Sequence, residues 1–458
     1  MPPVPTVPSP TGAPGVDASG EPLWARLADG VRVRREPFGA TVYVPRRDHF
    51  FALDKAFRSV VAAVRRDFRV VADADRARVR TLAAIGAVTT QPALPQRAFF
   101  GRSLVGEFDA LPTPATPLVV NCFATARCPL RCRYCHADDL MVGYRKGDGD
   151  EDPRRVLRTA AGLSAMVAVV TGGEPLARPQ QARRLIAGLA ERKAVVIDTS
   201  GVGNFAGMVP TLRAHDVHVR VSLDSADRTV NDAVRPVSRR EAPTGASAYT
   251  AALRTIRRAV GEGIPCSVQT VVHARNRDRD ALYRLRDLLV DQQVTSWVLH
   301  VIVPAGKAAQ KPAAALLCGD RVLTGLRELV RNTADDGVPL DIRVTSTHRR
   351  PNSTLLIGVD GALWVEREDG RGKTAVAGSR MFPWLRNRRL RRCLDAEGHA
   401  SRYLNGTLDE LPEPMGEVMP AERPAWVPDA APSSIGALLG QLSCDERHLT
   451  ARTGGVLS

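Results

Sequence analysis

From residue 165 to residue 303 short apolar runs recur, at 165–170, 194–197, 217–223, 265–272 and 296–303. Stretches between them, such as 179–192 and 249–261, carry apolar residues at helical spacing. Strands alternating with helices predict a parallel sheet joined by right-handed crossovers. An earlier apolar run at 117–122 adds one strand, giving about six β/α units, short of the eight of a closed barrel. Ahead of this region, 30–44 reads as two short strands with Gly39 at the turn. The segment 51–68 places Leu53, Phe57, Val60, Val61 and Val64 at helical spacing, and a second helix is expected over 73–86. Strands followed by helices over so short a span predict a compact α+β unit of winged-helix-like character. Between the two regions, 91–117 is punctuated by Pro92, Pro95, Pro112, Pro114 and Pro117 and reads as a linker. Near the C-terminus, 353–378 reads as a hairpin turning at Asp360-Gly361. The rest is proline-rich, with one helical candidate at 434–442.

Composition changes this picture little. The chain has 458 residues, room for about three domains, and its 44% hydrophobic content suits a globular core. No run approaches the roughly 18 apolar residues of a membrane span. Residues 1–15 lack a basic segment followed by an apolar core, so they read as a flexible tail and not a signal peptide. Eight cysteines, three of them clustered, indicate a reducing, cytoplasmic setting.

The net charge of +15 could draw nucleic acid, an acidic peptide or an anionic cofactor. Arginines such as Arg183, Arg184, Arg257 and Arg258 fall on expected helices, where a solvated face explains them. The densest cluster, 386–392, holds five arginines without interleaved aromatics for base stacking, which disfavours nucleic acid.

The chemistry is concentrated in Cys128-Pro129-Leu130-Arg131-Cys132-Arg133-Tyr134-Cys135, on the loop leaving the 117–122 strand. A structural zinc site needs four ligands; no fourth cysteine or spaced histidine pair stands at the usual distance, and His136 adjoins Cys135 too closely. Three thiolates on a [4Fe–4S] cluster would leave one iron open to a small ligand. A zinc knuckle stays open as the competing reading. The next strand runs into Thr171-Gly172-Gly173-Glu174-Pro175, where paired glycines permit close backbone approach and Glu174 supplies an acceptor. The third strand ends Asp198-Thr199-Ser200-Gly201, where Ser200 capping the following helix is the competing reading. The fourth ends Ser222-Leu223-Asp224, followed by Asn231, Asp232 and Arg235. His273, Asn276 and Asp278 follow the fifth, and Pro304-Ala305-Gly306-Lys307 the sixth. The acidic run 148–152 lacks calcium-loop spacing and reads as a solvated connection.

These motifs resemble the radical S-adenosylmethionine (radical-SAM) superfamily, and in particular its maturases of ribosomally made peptides. The resemblance to the radical-SAM barrel covers roughly 117–306. It implies an α/β fold, a partial (β/α)6 barrel, with Cys128, Cys132 and Cys135 on a [4Fe–4S] cluster and Tyr134 part of the signature. It implies that Gly172, Gly173 and Glu174 receive the methionine amino group of S-adenosylmethionine, that Ser222 and Asp224 face the cofactor, and that Arg235 pairs with its carboxylate. Ser200 stands where the family usually has asparagine in T-N-G.

Residues 23–92 resemble the small PqqD-like peptide-recognition element, on Arg35-Glu36-Pro37-Phe38-Gly39, Val42-Tyr43, Leu53-Asp54 and the closing run 82–88. That implies an N-terminal winged-helix-like α+β domain to which the leader of a precursor peptide adds as a strand; an ordinary winged-helix domain competes. The placement of 307–410 resembles a SPASM or twitch extension, but its hairpin lacks cysteines, and Cys318, Cys393 and Cys444 are isolated. The expected division is 1–22 tail, 23–92 recognition domain, 93–116 linker, 117–306 barrel, 307–410 extension and 411–458 mobile tail.

Together these imply an enzyme that generates a 5′-deoxyadenosyl radical and modifies a precursor peptide held by its leader, with a flavodoxin- or ferredoxin-type electron donor and no membrane partner. Intramolecular cross-linking is the first expected outcome and α-carbon epimerisation the second. A radical enzyme acting on tRNA and a non-catalytic zinc-binding regulator are the alternatives.

Overall fold

The computed structural model describes residues 22–375 except 65–66, 95–103, 109–117, 139, 142–150, 239–244, 303–305, 311–315, 317, 319–320, 346–354 and 367–372. The expectations for the N-terminal tail, the arginine cluster 386–392, Cys393, Cys444 and the helix 434–442 therefore lie outside the described residues.

The chain begins with β1 (Trp24–Leu27), β2 (Arg32–Glu36), β3 (Gly39–Val44) and β4 (His49–Leu53), then α1 (Arg58–Ala63), β5 (Arg69–Val70), α2 (Arg76–Ala84), β6 (Val88–Gln91) and β7 (Leu104–Val105). β2, β3 and β4 form an antiparallel meander that β7 extends in parallel, while β1 sits between β5 and β6 in a second small sheet. The turn at Gly39 follows expectation: a Cβ there would lie 2.1 Å from the Leu53 carbonyl oxygen.

Two expectations fail here. The helix expected over 51–68 starts only after Leu53, because 49–53 is strand β4, buried along its whole length. Phe51 and Leu53 enter the core of this unit, whereas Phe50 and Ala52 point to a second core on its other side. A strand buried on both faces loses polar alternation, and its apolar run then mimics a helical stripe. The helical part begins where Asp54 Oδ1 accepts the Ala56 N–H at 2.8 Å. The segment read as a linker also contains β7, which lies beside β4 through Ala52↔Leu104 and Leu53↔Val105.

The main body follows as β8 (Val119–Thr125), α3 (Pro153–Ala161), β9 (Val167–Gly172), α4 (Pro179–Ala190), β10 (Ala194–Thr199), α5 (Val209–Ala214), β11 (His218–Ser222), α6 (Arg228–Val234), α7 (Ala248–Gly261), β12 (Cys266–Val272), α8 (Arg279–Asp291), β13 (Ser296–Val301), α9 (Arg321–Asp335), β14 (Asp341–Thr345), β15 (Leu355–Ile357), β16 (Leu363–Glu366) and β17 (Lys373–Ala375). They make one ten-stranded mixed sheet in the order β14-β13-β12-β11-β10-β9-β8-β15-β16-β17. All pairs from β14 to β15 are parallel. The α9–β14 unit was not anticipated from the sequence. The expected hairpin does form, turning through Asp360 and Gly361 (φ 80), and it joins this sheet beside β8.

The sheet has two unlike faces. Val120, Cys122, Val170, Ile197, Val219, Val221, Val268 and Trp297 point to the helices and form the largest core. Their neighbours along the same strands include Asp198, His218, Arg220, Ser222, Gln269 and His300, which with Arg343 of β14 make a polar set on the opposite face. Period-two alternation separates the two sets. The N-terminal meander covers one end of this second face: Tyr43, Phe50 and Ala52 pack with Leu118, Val119, Val167, Ala194 and Val196, at or near the starts of β8, β9 and β10.

Candidate active site

The three cysteines occupy the loop directly after β8. All three are free thiols of intermediate exposure. The loop is pinned on one side by the segment after α6: Arg131 N–H donates to the Pro236 carbonyl at 2.8 Å, Arg133 N–H to Val234 at 2.9 Å, and Ser238 N–H to the Pro129 carbonyl at 2.7 Å. Arg131 Nη1 also reaches the carbonyls of Cys128 (2.6 Å) and Leu130 (2.9 Å). On the other side Lys307 N–H donates to the Cys135 carbonyl at 3.1 Å, and the Lys307 ammonium pairs with Asp138 at 3.3 Å. Gly306 (φ 55) sits so close that a Cβ would lie 2.5 Å from the Cys135 carbonyl oxygen. The segment after β13 therefore abuts the cysteine loop.

The Gly-Gly-Glu turn after β9 meets the same loop. Gly173 N–H donates to Thr125 at 2.7 Å and Glu174 N–H to Arg127 at 2.8 Å. A Cβ on Gly173 would stand 2.0 Å from the Arg127 carbonyl oxygen. The close approach that these glycines permit is thus to the backbone of the cysteine loop. Glu174, 2% exposed, is held on both carboxylate oxygens. Oε1 accepts from Thr199 Oγ1 (2.6 Å) and Leu176 N–H (3.0 Å), and Oε2 from Ser200 N–H (2.7 Å) and Ser200 Oγ (2.5 Å). Burial raises its pKa and these bonds oppose the rise. Ser200 acts on Glu174 and not only as a local cap.

Asp224 gathers the third group. Tyr134 OH donates to its Oδ2, Arg235 Nη1 donates to Tyr134 OH at 2.8 Å, and the Arg235–Asp224 ion pair measures 3.6 Å. Asp224 Oδ1 accepts Val271 N–H at 3.0 Å, and Asn231 Oδ1 accepts Asp224 N–H at 3.0 Å. Asn276 Nδ2 donates to the carbonyls of Asp224 (2.7 Å) and Val271 (2.9 Å). Arg235 Nε and His273 Nε2 are buried without a partner, leaving hydrogen-bonding capacity for a bound molecule. Ser222 Oγ accepts from Gln269 Nε2 at 3.3 Å at the end of β11.

Electrostatics bear on whether a metal centre fits. Burial pushes all three thiols up, Cys135 to about 11. Cys132 raises Cys128 and Cys135 further, as like charges do, while Arg235 and Lys307 favour the Cys132 thiolate. Thiolates are the metal-binding form, so this donor set fits a cationic centre that relieves their repulsion. Among the described residues no three His, Cys, Asp or Glu side chains gather tightly enough for a single ion. Iron–sulfur clusters are bound by cysteine thiolates.

The sequence did not point to Glu151. Its Oε1 accepts Thr125 Oγ1 and Ala126 N–H, both at 2.8 Å, where the chain leaves β8 for the cysteines. This end of the acidic run is therefore no solvated connection: its carboxylate anchors the loop, and Asp152 caps α3 through Arg154 N–H at 2.9 Å. Nothing in the local pattern of residues 148–152 reveals that partner, which lies 26 residues away.

Residues 123–286 match the family model of the radical SAM superfamily. The relatives are more particular. The chain is 33% identical over 215 residues to a PqqA peptide cyclase of Streptomyces rochei, covering 43% of this chain and 53% of that protein. It is 31% identical over 172 residues to a PqqA peptide cyclase of Methylobacterium nodulans, covering 36% and 42%. The chain thus spans about half the length, or less, of these curated relatives. Among solved structures, Streptococcus suis SuiB bound to S-adenosylmethionine is similar at a TM-score of 0.48 and 12% identity, over 74% of this chain and 82% of that one.

Proposed function

We propose that this chain is a radical S-adenosylmethionine enzyme that modifies a ribosomally made precursor peptide. The carrying observation is the meeting, at the carboxyl ends of neighbouring parallel strands, of the three-thiol loop, the clamped Glu174 and the Tyr134–Asp224–Arg235 set. Cys128, Cys132 and Cys135 would hold a [4Fe–4S] cluster. Gly172, Gly173 and Glu174 would receive the amino group of S-adenosylmethionine, with Tyr134, Ser200, Ser222, Asp224 and Arg235 around the rest of it. Together the two groups supply reductive carbon–sulfur cleavage and hydrogen-atom abstraction.

The chain's own residues bind and orient. Thr199 and Ser200 fix the Glu174 carboxylate, and Arg235 Nε offers a charged donor suited to a carboxylate. Buried Tyr134, Asp224, Asn231 and His273 keep water from this side. The finer architecture belongs to the same reading. Residues 117–306 form a partial (β/α)6 barrel, 23–92 a winged-helix-like, PqqD-like domain that pairs with the leader peptide, and 307–410 a SPASM- or twitch-like extension. A flavodoxin- or ferredoxin-type protein would deliver the electron. The relatives' name, peptide cyclase, supports intramolecular cross-linking; the cysteine-free hairpin favours epimerisation as the second outcome.

The test is anaerobic incubation of the reconstituted protein with S-adenosylmethionine and dithionite. Formation of 5′-deoxyadenosine and methionine, lost in Cys128→Ala, Cys132→Ala and Cys135→Ala, is expected. Absence of cleavage in the iron-loaded wild type would overturn the reading. With a precursor peptide encoded beside the gene, loss of hydrogen marks a cross-link, and solvent deuterium uptake without mass loss marks epimerisation.

A further inference from the structure

The N-terminal unit does more than lie against the sheet. At the corner between β3 and β4, Asp48 (φ 50) enters the polar face and is 1% exposed. Its carboxylate takes a forked pair from Arg220 of β11, Nε at 2.5 Å and Nη2 at 2.8 Å. Tyr43 OH donates to it at 2.9 Å. Arg343 of β14 donates to the Asp48 carbonyl at 2.9 Å and stands 3.7 Å from its carboxylate. Arg220 then reaches across to Asp198 of β10 at 3.5 Å, its partner in the parallel register. Asp198 immediately precedes Thr199 and Ser200, the two residues whose side chains clamp Glu174. Arg220 stands two residues before Ser222 on the same face, and four before Asp224.

We propose that Asp48 is a positioning residue for the strand-end site, contributed by the N-terminal unit. By holding Arg220 it sets the spacing of β10 and β11, and with it the Glu174 clamp and the approach of Asp224. Removing the Asp48 charge leaves two part-buried guanidiniums without their shared carboxylate, a costly state. Asp198 is then drawn onto Arg220, and the movement pulls at Thr199. The corner itself stays docked, because Arg47 pairs with Asp341 at 2.7 Å and its carbonyl accepts from Ser296 Oγ at 3.3 Å. The effect of Asp48 is therefore separable from simple undocking.

The proposal rests on the cofactor reading only for its second readout. The first is hydrogen exchange of full-length Asp48→Asn, with wild type as reference. Peptides covering 194–203 and 218–226 are expected to exchange about tenfold faster, with β8 unchanged. The second is the dissociation constant for S-adenosylmethionine, expected to rise about tenfold in the variant. Faster exchange confined to residues 45–50, or faster exchange of β10 and β11 with unchanged cofactor affinity, would overturn the proposal. If wild type itself binds no S-adenosylmethionine, the cofactor reading fails, and the exchange pattern still decides whether Asp48 sets the strand spacing. Should Asp48→Asn not fold, Asp48→Glu is read the same way.

Discussion

Single atoms decide how the site is assembled. Gly173 has no room for a methyl group against the Arg127 carbonyl, so Gly173→Ala must displace the cysteine loop. The expected result is loss of most reconstituted iron, measured by colorimetric assay. Gly261→Ala, where nothing stands within 4 Å of the added carbon, should leave iron content as in wild type. Glu174 is the second such point. Glu174→Ala leaves the Thr199 and Ser200 donors buried and unpaired, at about 1–3 kcal/mol for each group. Urea denaturation should show that loss, whereas Glu174→Gln, which keeps acceptance at one oxygen, should lose less. Both positions were legible in the sequence as Gly-Gly-Glu after a strand. Their partners were not: local spacing carries no sign that Thr199 and Ser200 would fold back onto Glu174. Asp48 was wholly silent, because its partner Arg220 lies 172 residues away.

Helices were easiest to read where one face alone is apolar, and strands where an apolar run is short and bounded by polar residues. Amphipathic α4 and α7 fall close to expectation, and β9 to β13 match the apolar runs within a few residues. The doubly buried β4 was misread, and β14 passed unnoticed because Asp341 and Arg343 alternate with Ile342 and Val344 in a short segment. The same alternation places charge on the polar face of the sheet, and this has a measurable consequence. Burial holds the His218 pKa down, to about 4 from an ordinary value near 6.5, despite the opposing pull of Asp48. The native state therefore binds fewer protons than the unfolded chain between these values, so stability is full above pH 6.5 and falls as pH drops toward 4. In His218→Gln that loss is absent. The wild-type advantage over the variant should shrink by on the order of 3 kcal/mol between pH 7 and pH 4 in apo-protein denaturation. Asp198, which burial raises to about 6, contributes the opposite slope, fading as pH rises through that value. It is common to both chains and cancels in the difference. A constant difference across the range would mean that His218 protonates freely in the folded protein.

Taken as one body, the chain joins an N-terminal α+β unit to a mixed sheet whose strand ends collect the three thiols, and no described helix is long and apolar enough to cross a membrane. Of the partners that the net charge of +15 could draw, nucleic acid and peptide are separable by their salt dependence. Strand addition should make leader-peptide affinity change little between low and physiological salt, whereas a phosphate-dominated contact would weaken by orders of magnitude. Fluorescence anisotropy of a labelled leader at several salt concentrations measures this directly. The most direct measurement concerns the cysteine loop: iron, zinc and acid-labile sulfide in the anaerobically reconstituted full chain, with Cys132→Ala beside it. About four irons with matching sulfide in wild type, lost in the variant, are expected of a single cluster on Cys128, Cys132 and Cys135. Stoichiometric zinc without sulfide would contradict the radical mechanism and make the loop a structural metal site.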